Sequence, residues 1–178
     1  LDVTIETGSR FLLDPRRKHQ PTLVSADPAG RARRRAFLEA AIDVAAEVGA
    51  ESVSLWSGAP DDAADADAAF DRLLRELAPL LAHAAGRGVR LAFEPEPGML
   101  VDTMARFDRL RAAIPHPCLG LTLDVGHVHC LGDGDPAERI GAYRDVLWNI
   151  HIEDMRCGVH EHLPFGEGDM DFRPIFAA

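Results

Sequence analysis

Carboxylates and imidazoles in this 178-residue chain collect just after short runs of β-forming residues, a placement suited to holding a cation and moving protons. Glu6 follows Val3-Thr-Ile5, and Glu94 and Glu96 follow Val89-Arg-Leu-Ala-Phe93. Asp124 and His127 follow Leu119-Gly-Leu-Thr-Leu123, and His151, Glu153 and Asp154 end the run that begins at Val146. Glu94, Asp124 and His151 stand at equivalent points on three successive runs. Two carboxylates with one imidazole suit a hard or borderline divalent metal, and Mn, Mg, Co and Zn all fit that mixture. Taken singly, each would be a solvated side chain or an ion-pair partner; three at one level argue for a site. In Asp124-Val-Gly-His127 the glycine lets the chain turn sharply. Asp124 can then take a metal while His127 faces a substrate or a second metal; the plain alternative is an Asp helix cap followed by a surface His. His160 and His162 flank Glu161 ahead of Gly166-Glu-Gly168, where a His-x-His pair can ligate a metal, bind sugar hydroxyls or belong to a polar loop. Trp56 is either a pocket wall or core. The basic segment with Arg16, Arg17, Lys18 and His19 is either a lid touching substrate or a solvated charge run.

The elements that must position these residues alternate strictly. Strands are expected at Leu1–Glu6, Ser52–Trp56, Val89–Glu94, Leu119–Asp124 and Val146–Ile152. Helices separate them. The first is capped by Asp27, started by Pro28 and stopped at Gly49. The second carries the stripe Phe70, Leu73, Leu77, Leu80 and Leu81, with a kink expected at Pro79. A third runs from about Met104 to Ile114, a fourth opens at Asp135-Pro136 with Glu138, and a last one starts near Phe172. Gly158–Asp171 reads as a polar loop. Alternating β and α elements specify a parallel sheet covered by helices, either an open doubly wound sheet or part of a (β/α)8 TIM barrel. No glycine-rich dinucleotide or phosphate-loop fingerprint follows any strand. Polar residues at the carboxyl ends of all five strands select the barrel, whose sites are built at that face. A complete barrel takes about 250 residues, so the 178 residues are expected to form a single domain, 1–178, of five βα units. It would lack the barrel's first strand and last two strands.

Composition narrows the function classes. The chain is 47% hydrophobic and 27% charged, and its formal charge of −10 disfavours binding to a phosphate backbone. No apolar run reaches the roughly 18 residues of a membrane span. Cys118, Cys130 and Cys157 are odd in number and lack CxxC spacing, which points to reduced thiols and a cytoplasmic location.

The segments Ile5-Glu-Thr-Gly8, Phe93-Glu-Pro-Glu-Pro97, Leu123-Asp-Val-Gly-His127, Ile150-His-Ile-Glu-Asp154 and His162-Leu-Pro-Phe-Gly-Glu-Gly-Asp169 resemble the xylose-isomerase-like TIM barrels. Within them they resemble the sugar phosphate isomerase/epimerase group, which includes ketose 3-epimerases, inosose-processing enzymes and endonuclease IV-type repair enzymes. The resemblance implies one divalent metal held by a Glu, an Asp, a His and a final Glu on successive strands. Glu94, Asp124 and His151 match the first three, and the fourth has no match in the chain. It further implies proton transfer next to a carbonyl through an ene-diolate, with Glu94 as metal ligand and proton-transfer group and His127 orienting a substrate oxygen. Glu6, Trp56, Glu96, His127, His160, His162 and Arg156 are the expected contacts to a small sugar, sugar phosphate or polyol, with no nucleic acid or membrane as partner. Self-association into a homo-oligomer stays open. One alternative is the repair branch, which needs three zinc ions and additional His ligands where this chain has Glu6-Thr-Gly8 and Leu55-Trp-Ser-Gly58, although His127 and His162 match it. The other is a non-catalytic barrel subunit that binds sugar or metal for a partner.

Overall fold

A computed structural model describes residues 3–178. Its main sheet is five parallel strands in chain order: β1 (Thr4–Glu6), β2 (Ser52–Leu55), β3 (Arg90–Phe93), β4 (Leu119–Asp124) and β5 (Leu147–His151). Leu1 and Asp2, the start of the first expected strand, lie outside the described residues. The helices are α1 (Pro28–Val48), α2 (Ala66–Arg87), α3 (Met104–Ala113), α4 (Val125–Leu131), α5 (Pro136–Tyr143) and α6 (Phe172–Ala177). Each order step in the sheet is a βα unit, as expected of a barrel segment of about five units.

Local chemistry sets the helix limits. The Asp27 carboxylate accepts from the Ala29 and Gly30 N–H groups, and Asp135 does the same for Ala137 and Glu138. Gly49 and Gly88 close α1 and α2 in the left-handed conformation, with φ of 73° and 70°. Helix α2 runs on through Pro79. Its stripe of Leu73, Leu77, Leu80 and Leu81 packs with Leu38 and Ile42 of α1 against the sheet.

The two faces of the sheet differ in kind. Val53, Leu55, Leu91, Phe93, Leu121 and Leu123 point to the helices and build the core. The opposite face carries Thr4, Glu6, Ser52, Ser54, Thr122 and Asn149, linked by hydrogen bonds from Thr4 to Ser52 at 2.9 Å and from Thr122 to Ser54 at 3.0 Å. Parallel strands are usually apolar on both faces; here period-two alternation reserves one face for polar side chains that lead up to the site. A register shift between Leu121 and Thr122 leaves Trp148 unpaired and sets Asn149 beside Thr122 and His151 beside Asp124. Gly120 makes room for it, since a Cβ there would lie 2.6 Å from the Trp148 ring.

Three expectations are corrected. The segment Gly158–Asp171 is not all loop: β6 (Asp154–Arg156) and β7 (Val159–Leu163) pair as an antiparallel hairpin. Helix α4 follows directly on β4 and makes Asp124 an N-cap. The polar segment after β1 ends in a buried anchor, Pro21–Ser25, with Leu23 and Val24 in the core. No helix among the described residues is long and apolar enough to cross a membrane, and the three cysteines are free thiols.

Candidate active site

The carboxyl ends of the strands open into one cavity. Glu6 of β1, Trp56 after β2, Glu94 and Glu96 after β3, Asp124 of β4 and His151 of β5 all line it, joined by His127 from α4, Glu153, and His160 and His162 from β7. The parallel registers place those side chains at one level, which is why residues far apart in sequence converge.

The centre is a tight group. The two nitrogens of His151 reach Glu6 Oε1 at 2.9 Å and Glu94 Oε1 at 3.0 Å, and Nδ1 lies 3.9 Å from Asp124 Oδ2. Asn149 donates to the same Glu6 oxygen at 2.9 Å. His127 Nδ1 donates to the Pro95 carbonyl at 3.2 Å, which fixes the proton on that nitrogen and leaves the Nε2 lone pair facing inward. Nε2 is buried without a hydrogen-bond partner, 3.7 Å from both Asp124 Oδ2 and Glu96 Oε2. One donor atom each from Glu94, Asp124 and His127 lies within 4.8 Å of the others, and the same holds for His127, His160 and His162.

The electrostatics express crowding. Burial, then the Glu153 charge, pushes the Asp124 carboxyl up to about 8 despite N–H bonds from Gly126 and His127. Burial and neighbouring Glu94 push Glu96 up to about 7. Burial, with the His160 imidazole adding to it, holds His127 down to about 3. His151 moves the other way, up to about 11, because Glu6 and Glu94 both hydrogen-bond its charged form. A neutral imidazole lone pair aimed at two buried carboxyl groups calls for a proton or a cation between them. Two buried carboxylates, Glu94 and Asp124, with an imidazole beside them, whether His127, whose donor atom lies within 4.8 Å of theirs, or His151, whose Nδ1 lies 3.0 Å from Glu94 and 3.9 Å from Asp124, make a donor set that fits a divalent metal.

The rest of the site is built by the hairpin. Asp154, buried at the start of β6, accepts N–H bonds from Met155, Gly166 and Gly168 at 2.8–2.9 Å and from Met170 at 3.3 Å. That carboxylate gathers the turn after β7 and so orients His160 and His162, whose rings stand 5.1 Å apart. Gly168 is required, since a Cβ there would lie 2.2 Å from Asp154 Oδ1. Gly166–Gly168 thus shapes the turn, while Glu167 is exposed on it.

Not every expected contact reaches the cavity. Arg156 does not line it: the two-residue turn at Cys157-Gly158 aims its side chain at the solvent face, where it donates to the Glu167 carbonyl at 2.8 Å and lies beside Glu161. Trp56 is both wall and core, 7% exposed, with its ring under the Arg34 guanidinium and the edge of His19. From the basic segment Lys18 and His19 line the cavity together with Arg10, while Arg16 and Arg17 do not. Glu153 and Asp154, noted in the sequence only as polar residues ending the fifth run, take roles there: Glu153 lines the cavity and Asp154 opens β6. Arg10, which also lines the cavity, is the residue that the sequence reading missed.

Known proteins resemble this chain in sequence and in fold. The chain is 29% identical over 110 residues to an inosose dehydratase from Lactiplantibacillus plantarum, covering 52% of this chain and 36% of that protein. It is 28% identical over 180 residues to the L-ribulose-5-phosphate 3-epimerase UlaE of Shigella flexneri, covering 99% of this chain and 62% of that protein. The chain thus spans between about a third and two thirds of these relatives. The crystal structure of a D-tagatose 3-epimerase-like protein superposes with a TM-score of 0.82 at 20% identity, over 99% of this chain and 65% of that one. The family model described as xylose isomerase-like TIM barrel matches residues 6–178. A curled parallel sheet with its polar side chains at the carboxyl ends, and a family match over nearly every residue, place the chain in the xylose isomerase-like TIM barrel family.

Proposed function

We propose that this chain carries the site of a divalent-metal-dependent sugar or polyol isomerase or epimerase. The observation that supports it is the convergence of Glu94, Asp124 and His151 from three neighbouring strands on one point beside the buried, unpartnered Nε2 of His127. Glu94, Asp124 and His151 would hold the metal, which when bound would supply Lewis-acid polarisation of neighbouring oxygens of an open-chain sugar. Glu94, 6% exposed, is positioned to take a proton from the carbon next to the carbonyl. His127 presents a neutral acceptor nitrogen to a substrate hydroxyl, held in that tautomer by Pro95. Glu6, Glu96, His160 and His162 line the walls where further hydroxyls bind.

A second reading, dehydration of a keto-polyol, is favoured by the inosose dehydratase relative. The same proton abstraction serves both, and the outcome depends on whether the proton returns or a neighbouring hydroxyl leaves. The protein supplied with Mn, Mg, Co or Zn and a ketose panel in D2O separates them. Isomerase or epimerase action incorporates deuterium at the carbon next to the carbonyl with the formula otherwise unchanged, while dehydration gives a product lighter by water. No exchange and no water loss with any metal and sugar would favour the non-catalytic binding role.

A further inference from the structure

Two of the three cysteines stand side by side. Cys130 lies in α4, the helix that carries His127, and is 5% exposed. Cys157 lies at the turn between β6 and β7, the hairpin that carries His160 and His162, and is exposed. The Gly158 N–H donates to the Cys130 carbonyl at 2.9 Å. By standard bond lengths, a carbonyl that accepts from the N–H immediately after a residue sets the two Cα atoms about 4.5–6 Å apart, inside the roughly 4.4–6.8 Å that a disulfide spans.

The pair is held from both sides. The Cys157 N–H donates to both oxygens of Asp169 at 3.3 Å, and Asp169 also bonds Nε2 of His129, the residue before Cys130. Met155 of β6 packs so closely on α4 that a Cβ on Gly126 would lie 2.9 Å from its Cε. Helix and hairpin therefore meet along one seam, with the two cysteines at its end. The thiols differ in kind. Cys157 is the sulfur that an oxidant reaches first. Cys130 is enclosed: its Sγ donates to the His127 carbonyl at 3.5 Å, and burial pushes its thiol up to about 11. Cys118 precedes β4, at the amino ends of the strands, so the length of that strand separates it from the pair.

We propose that Cys130 and Cys157 form a reversible disulfide that staples the hairpin to α4 and so fixes His160 and His162 relative to His127. The oxidant is a low-molecular-weight disulfide, RSSR. The Cys157 thiolate attacks one of its sulfurs and expels RS⁻. The Cys130 sulfur, giving up its proton to solvent, then attacks Cys157 Sγ and expels the second RS⁻. The two protein thiols lose two electrons, and RSSR gains them and takes up two protons to become two RSH. The weak bond from Cys130 to the His127 carbonyl is exchanged for the S–S bond, and a reducing thiol reverses the step. Disulfides of this reversible kind act as redox sensors in reducing compartments. The proposal rests on the packing of α4 against the hairpin and holds whatever substrate the cavity takes.

The native protein is incubated with oxidised glutathione, remaining thiols are blocked, and peptides are read by mass spectrometry without reduction. A linked Cys130–Cys157 peptide is expected, lighter by two hydrogens than its two halves. It should return to free thiols with dithiothreitol and form unchanged in Cys118→Ser. In urea the three thiols should pair as a mixture, so a native preference for Cys130–Cys157 reports the fold. Hydrogen exchange then reads the staple: amides of residues 157–163 should slow by about tenfold or more on oxidation, as expected when a local opening is tethered. Cys157→Ser, a change at an exposed side chain, should show no such slowing. A glutathione adduct on Cys157 alone, Cys157 pairing between two molecules, or the same mixture in native protein as in urea would overturn the pairing. A linked peptide with unchanged exchange would overturn the staple.

Discussion

His127 and His151 both border Glu94, at 3.8 and 3.0 Å from its Oε1, yet one is neutral and the other protonated, and the difference comes from what each ring nitrogen faces. His127 gives its proton to a backbone carbonyl and is buried, so it stays neutral; His151 is clasped by Glu6 and Glu94 and stays protonated up to about 11. A metal held by His151 must displace that proton, and Asp124, with its carboxyl pushed up to about 8, must give up another. Both groups have raised values, so their protonated forms compete with metal at neutral pH and are relieved as pH rises. Metal affinity is therefore expected to increase by about tenfold per pH unit for each proton released between pH 6 and 8, with proton release seen by calorimetry in buffers of different ionisation enthalpy. A flat pH profile would contradict the ligand assignment. Glu94→Gln should lower kcat by about 10²–10⁴-fold, the range of a lost general base, and a smaller loss would move the proton transfer to another group. At this scale the sequence was informative wherever a residue's position on a strand decided its place. Glu94, Asp124 and His151 needed only the knowledge that parallel strands share a register. Arg156 needed more: whether it enters the cavity depends on a two-residue turn whose direction its own neighbours in sequence do not announce.

The hairpin of β6 and β7 is the element that places His160 and His162, and it hangs on a single carboxylate. Burial opposes the charge on Asp154, yet four backbone N–H bonds outweigh it and hold the carboxyl below its ordinary 3.8. A depressed folded value means stability that is fully present above about pH 4 and is lost as pH falls through the lower, folded value. Asp154→Ala leaves those donors without an acceptor and should destabilise the protein by roughly 3 kcal/mol, read from denaturant midpoints. Hydrogen exchange should show the loss concentrated at residues 164–170. Uniform loss of protection would deny Asp154 this local role. Element by element, the five strands and the long helices could be read because apolar periodicity and caps agree in them. The hairpin could not, since Val159-His-Glu-His-Leu163 has no alternating apolar face to signal a strand. Helix α4 is only 7 residues long and contains Gly126, so its signals were the Asp124 cap and Gly132 at its end, with φ of 64°.

Across the whole molecule the sheet is an arc whose outer edges are β1 and β5, with order β1-β2-β3-β4-β5. Ile150 and Ile152, on and just after β5, are 37% and 39% exposed. Unpaired parallel edges with exposed β-branched residues template further pairing. The 178 residues expressed by themselves are expected to self-associate or precipitate in sedimentation velocity, and a monodisperse monomer would show that the arc is stable as it stands. The overall architecture was legible because strict βα alternation admits few topologies. The polar concave face was harder to see, because Ser52, Ser54 and Thr122 look unremarkable until the registers align them. The central claim is that this arc gathers a single divalent cation at Glu94, Asp124 and His151. Anomalous diffraction from crystals of the protein grown with Mn tests it most directly. The account predicts one peak within about 2.0–2.5 Å of donor atoms from all three residues. No peak there, or three separate metal peaks including one among His127, His160 and His162, would contradict it.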